Sequence, residues 1–393
     1  MMFWDEKTLQ YVMAHADDDV SRLALQPAPA GVNLVFALQQ IKGRQKAQEK
    51  LPDFYACQEI VYPPTVNMEQ CSSTVTAQYK ASLVAGETFA DLSGGFGVDT
   101  FQLSTRFSHG FYVEPNESLA QMVQHNMGVM GIHNVEVLTE TMEQALPAIG
   151  TVDWIYVDPS RRDTHGQRVV SLAQCVPDVV ANKALLLEKA SKGIMLKLSP
   201  MLDIREALRL LPETTAVHVV AVHGECKELL FLLAKEAQPL TYTAVNMGKS
   251  ETQCFCFTPE EEAQAVPTWA GKVGEYLYEP NAAIMKAGGY KILTSRYPVC
   301  KLGPSTHLYT ADEMLQSFPG RCFRVLNTMP FHKSAIRGLA AELGKANVAV
   351  RNFPLTADEL RNRLKIRDGG NTFIIGTTLG KEEKVLVVAE MMR

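Results

Sequence analysis

Three short stretches hold residues whose types and spacing suit chemistry on an adenosine-containing ligand. The first is Asp91-Leu92-Ser93-Gly94-Gly95-Phe96-Gly97, running into Val98-Asp99-Thr100. A carboxylate at a strand end, then glycines, then a helix start brings backbone N–H groups and a helix N-terminus against a ligand. The second is Glu114, whose carboxylate at the end of the following strand can accept both hydroxyls of a ribose. Past the third strand, Glu140 and Thr141 fall where an adenine ring would lie.

The third stretch separates two kinds of cofactor. A dinucleotide loop of the G-x-G-x-x-G type would place glycine where Thr100 stands. Asp158-Pro159-Ser160-Arg161-Arg162 follows the fourth strand directly. A rigid X-Pro turn there lines the mouth at which a transferred methyl group emerges, and its carbonyls and side chains can orient a planar nucleophile such as an exocyclic amine. Hydride transfer has no need of such a turn, so the balance tilts to methyl transfer, with Asp158, Pro159 and Ser160 as candidate catalytic positions. Arg161 and Arg162 have the fork geometry for a substrate phosphate. Lys197 and Ser199, at the end of the fifth strand, face the same cleft or a plain surface.

The surrounding elements follow from hydrophobic periodicity. Residues 1–72 lack strand alternation and read as a helical domain closing near Tyr62-Pro63-Pro64. A helix over 74–85, capped by Ser72, Ser73 or Thr74, precedes a βαβ alternation. Strands are expected at 88–92, 110–114, 135–138, 154–158 and 193–197. Helices are expected at 100–107 and 115–128, with a long one including 184–190. Strands at 217–222 and 229–233, joined by a short turn, imply a hairpin-like finish to a doubly wound parallel sheet. The domain expectation is thus 1–72 helical, 73–238 catalytic, 239–280 a β-rich extension or linker, and 281–393 a β-α-β-α-β-β two-layer unit.

Composition sets limits. Across 393 residues, 46% are hydrophobic and 21% charged, as in a globular chain of two or three domains. No run of about 18 uncharged apolar residues occurs, and Met1-Met2-Phe3-Trp4-Asp5-Glu6-Lys7 places acids where a secretory signal has an apolar core. A cytoplasmic protein without membrane contact or an obligate protein partner is expected. The eight cysteines include one close pair, Cys254 and Cys256, which lacks the second pair of a zinc site, so no metal is expected. Residues 281–393 hold 17 Lys and Arg against 9 Asp and Glu, a balance of +8 in a chain of net charge −5. That asymmetry suits a basic C-terminal domain meeting a polyanion, or is only a solvated surface.

The segment 73–235 resembles class I S-adenosylmethionine-dependent methyltransferases. The pattern Asp91-x-x-x-Gly95-x-Gly97-x-Asp99-Thr100-x-Gln102 is similar to the cofactor loop of trimethylguanosine synthase-like RNA methyltransferases, which have Asn where Asp99 stands. Asp158-Pro159-Ser160-Arg161 resembles the D/N-P-P-x motif of enzymes that methylate nucleobase amino groups. The whole layout, with Ser199-Pro200 after the fifth strand, is similar to bacterial methyltransferases with a C-terminal THUMP-like domain. The resemblance implies an α/β, Rossmann-like class I methyltransferase sheet flanked by a helical N-terminal domain and a C-terminal α+β (ferredoxin-like/THUMP-like) domain. It implies S-adenosylmethionine as cofactor, bound by Asp91, Ser93, Gly94, Gly95, Gly97, Glu114, Glu140 and Thr141, with Asp91 toward the methionine amino group. It further implies a base amino group of tRNA or rRNA as acceptor. A small-molecule or protein acceptor and a catalytically silent RNA-binding module are the alternatives. Two positions depart from the family pattern: Ser93 replaces the first glycine of E/D-x-G-x-G-x-G, and Ser160 replaces the second proline, with no aromatic residue following.

Overall fold

The structure is a computed structural model that describes residues 3–160, 172–249 and 251–392. By packing, the chain divides into two compact units, Met1–Thr215 with Leu230–Gln238, and Ala216–Leu229 with Pro239–Arg393. Among the described residues no helix is long and apolar enough to cross a membrane.

In the first unit, five parallel strands form the expected sheet: β1 (Gly86–Asp91), β2 (Phe107–Val113), β3 (Val135–Leu138), β4 (Val152–Val157) and β5 (Ala190–Leu198). Their order is β3-β2-β1-β4-β5, so the chain reverses direction of growth between β1 and β4 and opens a crevice at their carboxyl ends. Next come β6 (Thr214–Val222) and β7 (Glu225–Leu233), each running from one unit into the other, in the order β5-β7-β6. The expected hairpin is real. His223 and Gly224 both take positive φ, 51° and 79°, the type I′ geometry that suits a two-residue turn.

The helix expected at 184–190 is only Lys183–Lys189, because Ala190 already belongs to β5. The helix expected from 100 begins earlier, at Val98, because Gly97 sits at its N-cap with φ 76° and ends the loop. Helices Leu34–Lys50, Pro52–Ala56 and Thr65–Gln70 build the N-terminal layer. Their core takes in Leu51, Phe54 and Tyr62 together with Phe96 and Phe101 of the first βα junction. The Phe54 ring lies 5.3 Å from Phe96 and 4.8 Å, edge-on, from Phe101. Burying Phe96 contributes roughly 2–3 kcal/mol and anchors the glycine loop to these helices.

In the second unit, β8 (Thr241–Met247) pairs in parallel with β6, and β9 (Thr252–Phe257) pairs antiparallel with β8. Two strands of the expected 239–280 extension, β8 and β9, thus continue the pairing from β6 within this unit. A second sheet of seven strands follows, made of β10 (Tyr276–Pro280), β11 (Cys300–Gly303), β12 (Thr306–Ala311), β13 (Gly320–Pro330), β14 (Asn347–Arg351), β15 (Thr372–Leu379) and β16 (Glu383–Met391), in the order β11-β12-β10-β13-β16-β15-β14. The expected β-α-β-α-β-β order is β13, Lys333–Glu342, β14, Ala357–Leu364, β15 and β16. Thr356 caps the second helix as expected, in a reciprocal box with Glu359. β10, which precedes residue 281, pairs antiparallel with β13 and so lies in the same sheet as the strands of 281–393.

Candidate active site

The glycine loop is shaped from inside. Asp91, 1% exposed, accepts from the Ser93 N–H (3.0 Å) and Ser93 Oγ (3.2 Å) at one oxygen and from Thr100 Oγ1 (2.6 Å) at the other. Burial raises its pKa to about 7 against the opposing Thr100 and Ser93 hydrogen bonds. Both oxygens are thus engaged by the loop, and in this structure Asp91 holds the loop in shape. Gly94 has no room for a side chain, since a Cβ there would lie 2.3 Å from the Tyr112 ring. Tyr112 in turn donates its hydroxyl to the Gly95 carbonyl at 2.6 Å.

Gly95 is different. It takes φ 55°, and a Cβ there would meet only the Ser93 carbonyl at 3.6 Å, so its backbone faces open space. Its N–H donates to Glu114 Oε2 at 3.0 Å, and the Asn116 N–H donates to Glu114 Oε1 at 2.9 Å. A carboxylate offers about four lone-pair sites, so two remain for two hydroxyls. An open glycine backbone beside a half-satisfied carboxylate at the switch point fits an adenosine-bearing cofactor. Thr141 caps the helix Met142–Ala148 by accepting the Gln144 N–H at 3.4 Å, and half-buried Glu140 directly precedes it.

Asp158 stands one residue beyond β4. Its backbone N–H donates to Ser93 Oγ at 2.7 Å. Its Oδ2 pairs with Lys197 Nζ from β5, where register places Val157 beside Leu196. Pro159 is buried, and Ser160 exchanges backbone hydrogen bonds with Val176 at 2.7 and 3.1 Å, which fixes the turn. Ser199 Oγ accepts the Met201 N–H at 3.2 Å, forming the next turn along the strand ends. The structure thus brings together Ser93, Asp158 and Lys197. Arg161 and Arg162 lie outside the described residues.

Sequence reasoning missed a buried charged cluster behind this mouth. Lys80, from the helix Thr74–Ser82, is 1% exposed and pairs with Asp99 at 3.1 Å. The same Asp99 accepts from Ser72 Oγ and from the Tyr156 hydroxyl, each at 2.8 Å. Burial pushes the Asp99 pKa up, but Lys80, Lys197 and the hydrogen bonds from Tyr156 and Ser72 outweigh it and hold the group below the usual carboxylate range. Only the Asp at the family's Asn position signalled it. A lone Lys among Thr76, Ala77 and Ala81 does not reveal whether it is buried.

Comparison with known proteins agrees with this geometry. Residues 276–319 match a ferredoxin-like domain family, and residues 320–391 match a family described as THUMP domain-like. The chain is 22% identical over 334 residues to uncharacterised S-adenosylmethionine-dependent methyltransferases from two Mycobacterium tuberculosis strains, covering 83% of this chain and 87% of each relative. It is 33% identical to a protein of Porphyromonas gingivalis W83 whose crystal structure is described as that of a methyltransferase, covering all of both chains with a TM-score of 0.90. The chain belongs to the S-adenosylmethionine-dependent methyltransferases that carry ferredoxin-like and THUMP-like modules after the catalytic sheet.

Proposed function

We propose that this methyltransferase modifies a base amino group in tRNA or rRNA, in the cytoplasm. The observation that carries the reading is the tie between the Asp158-Pro159 turn and the glycine loop through Ser93. It sets an acceptor side chain at the mouth of the cofactor crevice, as methylation of an N–H nucleophile requires. The THUMP-like match and the +8 balance of residues 281–393 support a polyanionic acceptor over a small molecule.

Gly95 and Glu114 would hold the adenosine part of the cofactor, with Glu140 and Thr141 toward its base. When bound, S-adenosylmethionine supplies a methyl carbon on a sulfonium: the acceptor nitrogen's lone pair forms the C–N bond while the C–S pair stays on sulfur. The chain's own contribution is positioning, which can supply most of such a displacement's acceleration. Asp158 accepts an N–H of the nucleophile and, with the Pro159 carbonyl, turns its lone pair toward the crevice. The proton released from the methylated nitrogen passes to the Asp158 carboxylate or to water. Nucleoside mass spectrometry of total RNA with and without the gene tests the reading. One methylated nucleoside missing from the deletion strain, and restored by the gene, is the expected result. An unchanged nucleoside inventory would remove RNA as the acceptor.

A further inference from the structure

We propose that Asp99 is a positioning residue of the methyl transfer: it holds the Lys197 ammonium in place, and Lys197 in turn holds the Asp158 carboxylate toward the acceptor. The inference rests on the role given to Asp158 above.

Strand geometry sets the relationship. Side chains two residues apart on a strand share a face of the sheet, and paired neighbours point the same way. Tyr156 pairs with Met195 in the β4–β5 register, so Asp158 and Lys197, each two residues further on, meet on that same face. The helix Thr74–Ser82 joins this face, where Ala81 packs in one cluster with Tyr156 and Met195. The Tyr156 hydroxyl donates to Asp99 at 2.8 Å, which puts Asp99 over the face that carries Lys197. Behind Asp99, Lys80 pairs with it at 3.1 Å and donates to Ser72 Oγ at 3.0 Å. Four charges of alternating sign thus run from core to rim: Lys80, Asp99, Lys197 and Asp158, with side-chain exposures of 1, 11, 13 and 35%.

Lys197 needs an anion on its inner side, because other cations crowd it. Burial holds the Lys50 pKa below the usual lysine range, Cys71 works against this, and repulsion from Lys197 and Lys46 adds to it. Lys50 is itself fixed by the carbonyls of Met68 and Glu69, at 2.8 and 3.1 Å. Asp99 is the inner carboxylate among these cations, and the Lys197 ammonium is one of the charges that keep it ionised. Stability alone is a weak reason for such a chain, since a buried ion pair replaced by neutral groups of like shape is often no less stable. Orientation of the outermost carboxylate is what a neutral replacement loses.

The test compares wild type, Asp158→Asn and the double variant Lys80→Met/Asp99→Asn, in which neither buried charge is left unpaired. Each is given labelled S-adenosylmethionine and RNA from a strain lacking the gene. The double variant should bind S-adenosylhomocysteine as wild type does and keep its KM for RNA. Its kcat should fall on the order of ten- to a hundredfold, as misplacement of a reacting group by about an ångström does. Asp99→Asn alone, with Lys80 still bonded to Ser72, should show the same split. A kcat loss matched by an equal loss of cofactor affinity would leave Asp99 a structural role only. Full kcat in both Asp99 variants, with turnover lost in Asp158→Asn, would overturn this inference alone. Turnover kept in Asp158→Asn would overturn the role of Asp158 and the inference with it. A crystal structure of the double variant with S-adenosylhomocysteine needs no acceptor, and it decides the matter whether or not RNA takes a methyl group. The Lys197–Asp158 pair is expected to be broken there, and an unaltered pair would refute the positioning role.

Discussion

The Ser93 side chain joins two motifs that lie far apart in the chain: its Oγ accepts the Asp158 N–H at 2.7 Å and donates to Asp91 Oδ1 at 3.2 Å. The residue that departs from the family's glycine pattern is thus the connection between the glycine loop and the Asp158-Pro159 turn. Ser93→Ala should leave a part-buried N–H without its acceptor, at about 1–3 kcal/mol. Turnover should fall more than cofactor affinity, because the turn loosens while Gly95 and Glu114 remain. Isothermal titration with S-adenosylhomocysteine beside single-turnover methylation separates the two. Equal losses in both would show that Ser93 serves only the loop.

Gly94 and Gly95 should behave in opposite ways. Gly94→Ala forces a Cβ into the Tyr112 ring and should lower the melting temperature markedly. Gly95→Ala keeps space around its Cβ and incurs mainly the left-handed φ penalty, about 1–2 kcal/mol, while obstructing ligand approach. Its stability should stay closer to wild type and its response to S-adenosylhomocysteine should shrink. Thermal unfolding with and without ligand gives both numbers.

Removing Lys80 alone strands Asp99 in a buried place. Lys80→Met should destabilise by roughly 3–5 kcal/mol, and adding Asp99→Asn should recover part of that loss. A double-mutant cycle by urea unfolding at neutral pH measures the coupling. Because the Asp99 pKa is depressed, its contribution is present above the ordinary carboxylate range and disappears as pH falls below about 4. The gap between wild type and the double variant should close there.

Asp91 titrates in the other sense. Its pKa is raised to about 7 in the folded chain, against an ordinary value near 3.8. The folded state holds that proton through the interval between the two values while the unfolded state has released it. The stability this group contributes therefore declines by about 1.4 kcal/mol per pH unit from pH 4 to pH 7 and is level above. Asp91→Asn removes this slope. Unfolding free energies of both proteins at pH 5 and pH 7.5 should diverge by that trend, and parallel curves would refute it.

In the THUMP-like module, Lys345 and Arg367 face each other across an isolated β-bridge, and Lys365 stands two residues before Arg367. Asp368, the acid beside them, is turned to Arg361 at 3.3 Å. All three cations are exposed. Changing them together to Gln should reduce the slope of log affinity for acceptor RNA against log salt by about 2, with cofactor affinity unchanged. Filter binding between 50 and 200 mM salt, roughly the range over which such contacts are lost, measures it.

What the sequence alone determined is the local content: a carboxylate, glycines and a helix start after one strand, an acid after the next, an Asp-Pro turn after the fourth. Strand periodicity and the cap at Thr356 depend on neighbouring residues, so they were legible, whereas the turn expected to take 223–228 shortened to His223-Gly224 because β7 begins at Glu225. The tertiary structure decided what depends on distance along the chain. Register between β4 and β5 set Lys197 against Asp158, and loop closure set Ser93 beneath the same residue. The helix Thr74–Ser82 carried Lys80 to Asp99, and pairing through β13 merged two expected pieces into one sheet. A side chain's type shows what it is able to bond. Whether it is buried, and beside which partner, is settled only when strands and helices from elsewhere in the chain close around it, and the Asp91-to-Gly97 loop became a site by that closure.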